Sequence, residues 1–147
     1  MSILLYSKFT SPFLISDYNI FPTYYIRIAT TLKLLIVDDN NKMRSIIRNV
    51  LEDCFDAVYE INDGDQAMEA FKTIYPDWVI MDIKMEHIDG ITATENIKRQ
   101  YPHARIIILT NFNDQELKTA AINAGADEYV LKDNLLELRS IIAAATL

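Results

Sequence analysis

Residues 33–40 read KLLIVDDN, an apolar run from Lys33 to Val37 that stops on the acids Asp38 and Asp39. Residues 78–85 repeat the pattern as WVIMDIKM, with Asp82 directly behind the run Trp78 to Met81. A short apolar run bounded by polar residues fits a strand buried on both faces, and an acid behind it then marks the carboxyl end of that strand. Three further runs follow the same grammar: Ala57 to Ile61, Ile106 to Leu109 and Glu128 to Leu131. Those starting at Lys33, Trp78 and Ile106 are nearly continuous in Leu, Ile, Val or Trp, as central strands require. Those starting at Ala57 and Glu128 mix in polar residues and are expected toward the edges.

Between the runs the periodicity changes to that of helices. Met43, Ile46, Ile47, Val50 and Leu51 follow the spacing of one helix face, with Asn40 or Asn41 as its cap. Ala67, Met68, Phe71 and Ile74 mark a second helix, and Ile91, Thr94 and Ile97 a third. The fourth is expected from about Asp114 to Asn123 on Leu117, Ala120 and Ala121, ended near Gly125; Leu135, Leu138, Ile141, Ile142 and Ala145 give the fifth. Gly64, Gly90 and Gly125 are all expected in connections. Five strands alternating with five helices predict an α/β fold, a doubly wound five-stranded parallel sheet of the flavodoxin-like (βα)5 type.

The 147 residues fit one domain, and the 50% apolar content is that of an ordinary globular protein rather than a disordered one. A formal net charge of -7 argues against direct nucleic-acid binding, which needs a basic face to displace counterions. Cys54 is the only cysteine, so there is no internal disulfide or cysteine-based zinc site, and a reducing, cytoplasmic setting follows. Residues 1–31 differ in character: Lys8, Asp17 and Arg27 are their only charges, among seven aromatics and short apolar runs. The segment is read as an N-terminal extension, poorly ordered or reflecting a misplaced start, ahead of a domain over residues 32–147. Its apolar stretches are too short and interrupted to span a membrane, and Lys8 follows Ile3, Leu4 and Leu5 where a secretory leader would have its positive charge first.

In an open parallel sheet the ligand site lies beyond the carboxyl ends of the strands, near the switch in strand order. The residues there are Asp38 and Asp39 after the first strand, Asp82 after the third, Thr110 after the fourth and Lys132 after the fifth. Taken singly, each has an ordinary structural explanation. Asp38-Asp39-Asn40 suits a helix entrance, Asp82 could cap a loop, and Lys132 could be a solvated lysine. Converging from four segments, they form a pocket of three carboxylates, a hydroxyl and an ammonium. Like charges about 4 Å apart repel by roughly 4 kcal/mol at an effective dielectric of 20, so such a cluster calls for a cation. An all-oxygen donor set suits Mg2+, and a carboxylate beside that ion can act as a nucleophile on phosphorus.

LIVDDN, VIMDIKM, IIILTN and EYVLKD, in this order, resemble the four signature segments of response-regulator receiver domains of the CheY-like superfamily, over about Lys33 to the C-terminus. The resemblance implies a receiver fold with Asp82 as phosphoacceptor, Asp39 as a direct Mg2+ ligand, Asp38 as a supporting acid and the Lys84 carbonyl as a further metal ligand. Thr110 and Tyr129 match the family's switch pair, and Lys132 its phosphate-facing lysine. The phosphoryl donor it implies is a histidine kinase or phosphotransfer protein, and the output a downstream protein partner or homodimer, through the fourth helix, fifth strand and fifth helix. AGADEYVLKD resembles the NarL/LuxR-type branch, whose members append a helix-turn-helix domain; none is expected here, because the chain stops at Leu147. Lys84 and Phe112 occupy positions that tune phosphoryl lifetime in relatives. Met85-Glu86-His87 replaces the proline common after the phosphoacceptor's Met, a departure expected to loosen that loop or add negative charge. Asp133 likewise stands where many relatives have proline.

A second reading is a non-switching pseudo-receiver or a truncated DNA-binding regulator that serves as a dimerisation or docking module. A third, a Mg2+-dependent phosphohydrolase with an aspartate nucleophile, is disfavoured because Lys84 stands where such enzymes often place a second acid. The domain is therefore read as a phosphoacceptor rather than an enzyme, with slow self-phosphorylation and self-dephosphorylation.

Overall fold

The computed structural model describes residues 31–145. The expected N-terminal extension, residues 1–31, lies outside the described residues except for Thr31. Strands and helices alternate as β1 (Lys33–Val37), α1 (Asn41–Leu51), β2 (Ala57–Ile61), α2 (Ala67–Ile74), β3 (Trp78–Met81), α3 (Gly90–Gln100), β4 (Ile106–Thr110), α4 (Gln115–Asn123), β5 (Glu128–Leu131) and α5 (Leu136–Ala144). All pairings are parallel, in the order β2-β1-β3-β4-β5. The two runs that mix in polar residues are indeed the edge strands. Their partly exposed pattern contrasts with β3 and β4, in which every residue is buried.

The period of two along each strand divides the core. Leu35, Val37, Val79, Met81, Ile106 and Ile108 point to one side, where Ala67 and Phe71 of α2, Ala93 and Ile97 of α3 and Ala121 of α4 cover them. Leu34, Ile36, Ile80, Ile107, Leu109 and Val130 point to the other, against Ile47 and Leu51 of α1 and Leu138 and Ile142 of α5. Each fully buried Leu or Ile contributes roughly 1.5–3 kcal/mol by leaving water, and truncating one such as Ile36 to Ala costs about 2–5 kcal/mol.

Three helices open on a side-chain cap. Asn40 accepts from the amides of Lys42 and Met43 at 3.0 and 3.1 Å, Asp89 caps α3 and Asp114 caps α4. Each cap is worth about 1 kcal/mol against alanine. Two expectations need correction. Ile46 is exposed, because the buried stripe of α1 narrows to Ile47 and Leu51, with Met43 and Val50 only half-buried. Gly90 is not in a connection but is the buried first residue of α3. Among the described residues no helix is long and apolar enough to cross a membrane.

Candidate functional site

The chain runs from β1 outward to β2, then returns to place β3 on the other flank of β1. The order therefore reverses between β1 and β3, and the crevice beyond their carboxyl ends is where a ligand is expected. Asp38 and Asp82 stand there. Backbone bonds from Asp38 N to the Ile61 carbonyl (3.2 Å) and from Asp82 N to the Val37 carbonyl (2.8 Å) carry the sheet ladder just past the strands and fix both acids on rigid backbone.

Lys132, in the turn after β5, reaches back between them. Its Nζ lies 2.8 Å from Asp38 Oδ2 and 3.0 Å from Asp82 Oδ2, and all three side chains are almost fully buried. The remaining oxygens are held locally: the Asn40 amide donates to Asp38 Oδ1 and the Ile83 amide to Asp82 Oδ1, each at 2.8 Å. Burial pushes the Asp82 carboxyl above its ordinary pKa; the bond and charge of Lys132 oppose that shift without cancelling it, and the negative charge of Asp38 adds to it. Burial alone would lower Lys132, but its bonds to Asp38 and Asp82 outweigh it and hold the ammonium above its usual value. Lys132 is thus protonated at any physiological pH.

Two acids and one ammonium leave the buried cluster short of one positive charge. Asp39, at the solvent edge, completes a triad with Asp38 and Asp82 in which one carboxylate oxygen from each lies within 4.8 Å of the others. Asp38 Oδ2 has the Lys132 ammonium as its charged partner and shares it with Asp82 Oδ2, so one cation serves two buried acids. The donor set is all oxygen and partly open to water, so these residues fit a hard divalent cation such as Mg2+.

Thr110 ends β4 fully buried, and its Oγ1 accepts from the Phe112 amide at 3.3 Å, which leaves the hydroxyl proton free to donate elsewhere. Tyr129 lies half-buried on β5, opposite Ile108, with its hydroxyl donating to the Phe112 carbonyl at 2.7 Å. Both expected switch residues are therefore tied to the β4–α4 connection. Lys84 is exposed in the connection after β3.

That connection is not left loose by Met85-Glu86-His87. His87 Nδ1 is 2.6 Å from Asp63 Oδ2, and the amides of His87 and Ile88 donate to the same carboxylate. In the sequence His87 stands out only as part of the departure from proline, and Asp63 does not stand out at all. The available signal was Asp63-Gly64, an acid and a glycine where the chain turns into α2, but no local spacing links it to a residue 24 positions on.

The family model of the response regulator receiver domain matches residues 34–143. The chain is 41% identical over 110 residues to the chemotaxis protein CheY of Bacillus subtilis, which covers 71% of this chain and 92% of that protein. Among solved structures, a LuxR-family two-component response regulator from Aurantimonas sp. is 29% identical with a TM-score of 0.69, covering 78% of this chain and 87% of that one. A CheX–CheY complex with BeF3 and Mg2+ from Borrelia burgdorferi matches in fold, with a TM-score of 0.73 at 24% identity over 79% of this chain and 90% of that one.

Proposed function

The chain belongs to the response regulator receiver domain family, and on that premise we propose that Asp82 accepts a phosphoryl group from a histidine kinase or phosphotransfer protein in the cytoplasm. The observation that carries this reading is the single buried ammonium of Lys132, within 3.0 Å of carboxylates from two different strand ends. Structural ion pairs seldom gather two acids on one base at the switch point of a parallel sheet; a site awaiting a divalent cation and a dianionic group has reason to.

In the reaction, a carboxylate oxygen of Asp82 attacks phosphorus in line with the P–N bond of a phosphohistidine. The O–P bond forms as the P–N bond breaks, and the imidazole leaves with the electron pair. The Ile83 amide orients the carboxylate for that attack. Lys132 is already close to Asp82 Oδ2, so it neutralises charge on the incoming oxygens without side-chain reorganisation. Thr110 has its hydroxyl proton available for a phosphoryl oxygen. Bound Mg2+, held by Asp39, Asp82, the Lys84 carbonyl and, partly through water, Asp38, would supply the remaining neutralisation.

The output is a change of binding face. A phosphoryl group adds roughly two negative charges at neutral pH, enough to bias a two-state surface. Helix α4 buries only Ala121 fully, and its approach from β4 is held by Thr110 and Tyr129, so the α4-β5-α5 face can shift at low cost. A downstream protein or a second copy of the chain would read that face. Water attack on the acyl phosphate resets the domain slowly, with no external substrate turned over.

The test is labelling by acetyl phosphate with Mg2+, read as a mass increase on the peptide containing Asp82. Wild-type protein is expected to label and Asp82→Asn is not. Equal labelling of the two would remove the assignment.

A further inference from the structure

We propose that Asp63 and His87 form a clasp that fixes the connection between β3 and α3, making His87 a positioning residue for the cation and phosphoryl site; this rests on the reading of Asp82 as phosphoacceptor. Asp63 is buried near the start of the β2–α2 connection. Its Oδ2 meets His87 Nδ1 at 2.6 Å and the His87 amide at 3.2 Å, while Oδ1 accepts from the amides of Asp65 at 3.2 Å and Ile88 at 3.4 Å. A single carboxylate thus gathers an imidazole and two amides from a loop distant in sequence. Directly behind it, a Cβ on Gly64 would stand 2.2 Å from the Ile88 carbonyl oxygen, so the two connections touch backbone to backbone.

The segment held in this way starts at Asp82 and carries Lys84. Its ends are pinned by the Ile83 amide on Asp82 Oδ1 and by the Gly90 amide on the Ile83 carbonyl at 2.9 Å. The clasp pins its middle. A carbonyl that is to serve as a metal ligand needs such support, because the groups that hold a ligand from behind set its orientation.

Asp63, Asp65 and His87 are spaced closely enough to hold a cation themselves. Both Asp63 oxygens are already occupied by N–H donors, however, so a charge-assisted pair accounts for the geometry better. The charged groups facing His87 are all acids: Asp63 through its hydrogen bond and charge, then Glu86 and Asp65. The Asp63 bond is the main cause that raises the imidazole pKa above its ordinary value. Burial would raise Asp63, but the His87 ring and the amides of Asp65, Ile88 and His87 outweigh it and hold the acid at about 2. With His87 raised and Asp63 lowered, the charge-assisted bond is complete below the ordinary imidazole pKa. It weakens as pH rises through the raised one, when only a neutral N–H remains to donate.

The experiment is an NMR titration with Mg2+, from about pH 5.5 to about pH 8.5, on wild type, His87→Ala and His87→Gln. His87 is exposed over most of its ring, so neither variant disturbs the core. At the acid end His87→Ala is expected to bind Mg2+ about tenfold more weakly. His87→Gln keeps a side-chain donor and should recover most of that loss. Wild-type affinity should carry a pH step that coincides with titration of the His87 ring and is missing from both variants. An alanine variant with wild-type affinity, or a wild-type pH profile that superimposes on that of His87→Gln, overturns the clasp and leaves the phosphoacceptor reading intact. A wild-type protein that neither binds Mg2+ nor labels at Asp82 overturns both.

Discussion

Gly90 lies so close to Asp82 that a Cβ on it would stand 1.8 Å from the Asp82 carbonyl oxygen and 2.9 Å from Cγ of Met81. The first turn of α3 is therefore pressed onto the backbone that carries the acceptor acid. Gly90 sits in a helix, where alanine is otherwise favoured, so the obstacle is steric. Gly90→Ala is expected to destabilise the domain by about 1–3 kcal/mol through overpacking and to slow labelling of Asp82. Urea unfolding checks the first effect and acetyl phosphate kinetics the second. A variant as stable as wild type would show that α3 can retreat without consequence.

Lys132 is the only counter-charge that touches both buried acids among the described residues. Lys132→Met keeps much of the side-chain volume but strands two carboxylates out of water. Breaking a buried pair from one side costs about 3–5 kcal/mol, so a large fall in the urea midpoint is expected without divalent ions. Added Mg2+ should restore part of it, since the cation would take over the missing neutralisation. A variant that loses stability and regains none with Mg2+ would separate Lys132 from the cation site.

Mg2+ that binds only the folded state stabilises it by about 2.7 kcal/mol at a hundredfold excess over the dissociation constant. The melting temperature of wild type should rise accordingly. Asp39 is exposed, so Asp39→Ala should leave the ion-free protein nearly unchanged and reduce the Mg2+-dependent rise. An equal rise in both proteins would assign the effect to some other part of the surface.

The layering of the fold was legible because its cause is local. Strands such as Trp78–Met81 and Ile106–Thr110 are buried on both faces and must be apolar throughout, whereas Ala57–Ile61 and Glu128–Leu131 lie at the rims and need not be. The strand-end positions of Asp38, Asp82, Thr110 and Lys132 were legible for the same reason. What stayed hidden depends on distant packing. The Asp63–His87 contact joins two loops, and Gly90 looks like any turn glycine until α3 is laid against Asp82. Ile46 follows the helical period yet faces water, because the surface that α1 covers is narrower than its apolar stripe. Tyr75 ends α2 in the left-handed region at φ 50°, where glycine would have announced the stop.

The electrostatic state of Asp82 leads to a prediction against the usual expectation for a functional acid. Its folded pKa lies above its ordinary value, so the folded protein takes up this proton more readily than the unfolded chain does. Stability must then fall as pH rises from the unfolded value, about 3.9, through the folded one. Lys132 carries the opposite sign: its raised pKa contributes stability that persists below its ordinary value and is lost only at strongly alkaline pH. With Asp82 ionised, above its raised pKa, the cluster holds one carboxylate more than its ammonium can balance. Asp82→Asn removes that excess and leaves Lys132 paired with Asp38 at 2.8 Å. Without divalent ions, the variant is expected to unfold at higher urea than wild type at pH values above the raised folded pKa of Asp82, with the difference shrinking as pH falls through it and Asp82 becomes protonated. With saturating Mg2+ the order should narrow or reverse, because the wild-type acid then has a second cation beside it. A variant less stable than wild type in ion-free buffer would mean that Lys132 needs both acids, and that the cluster is balanced without a metal.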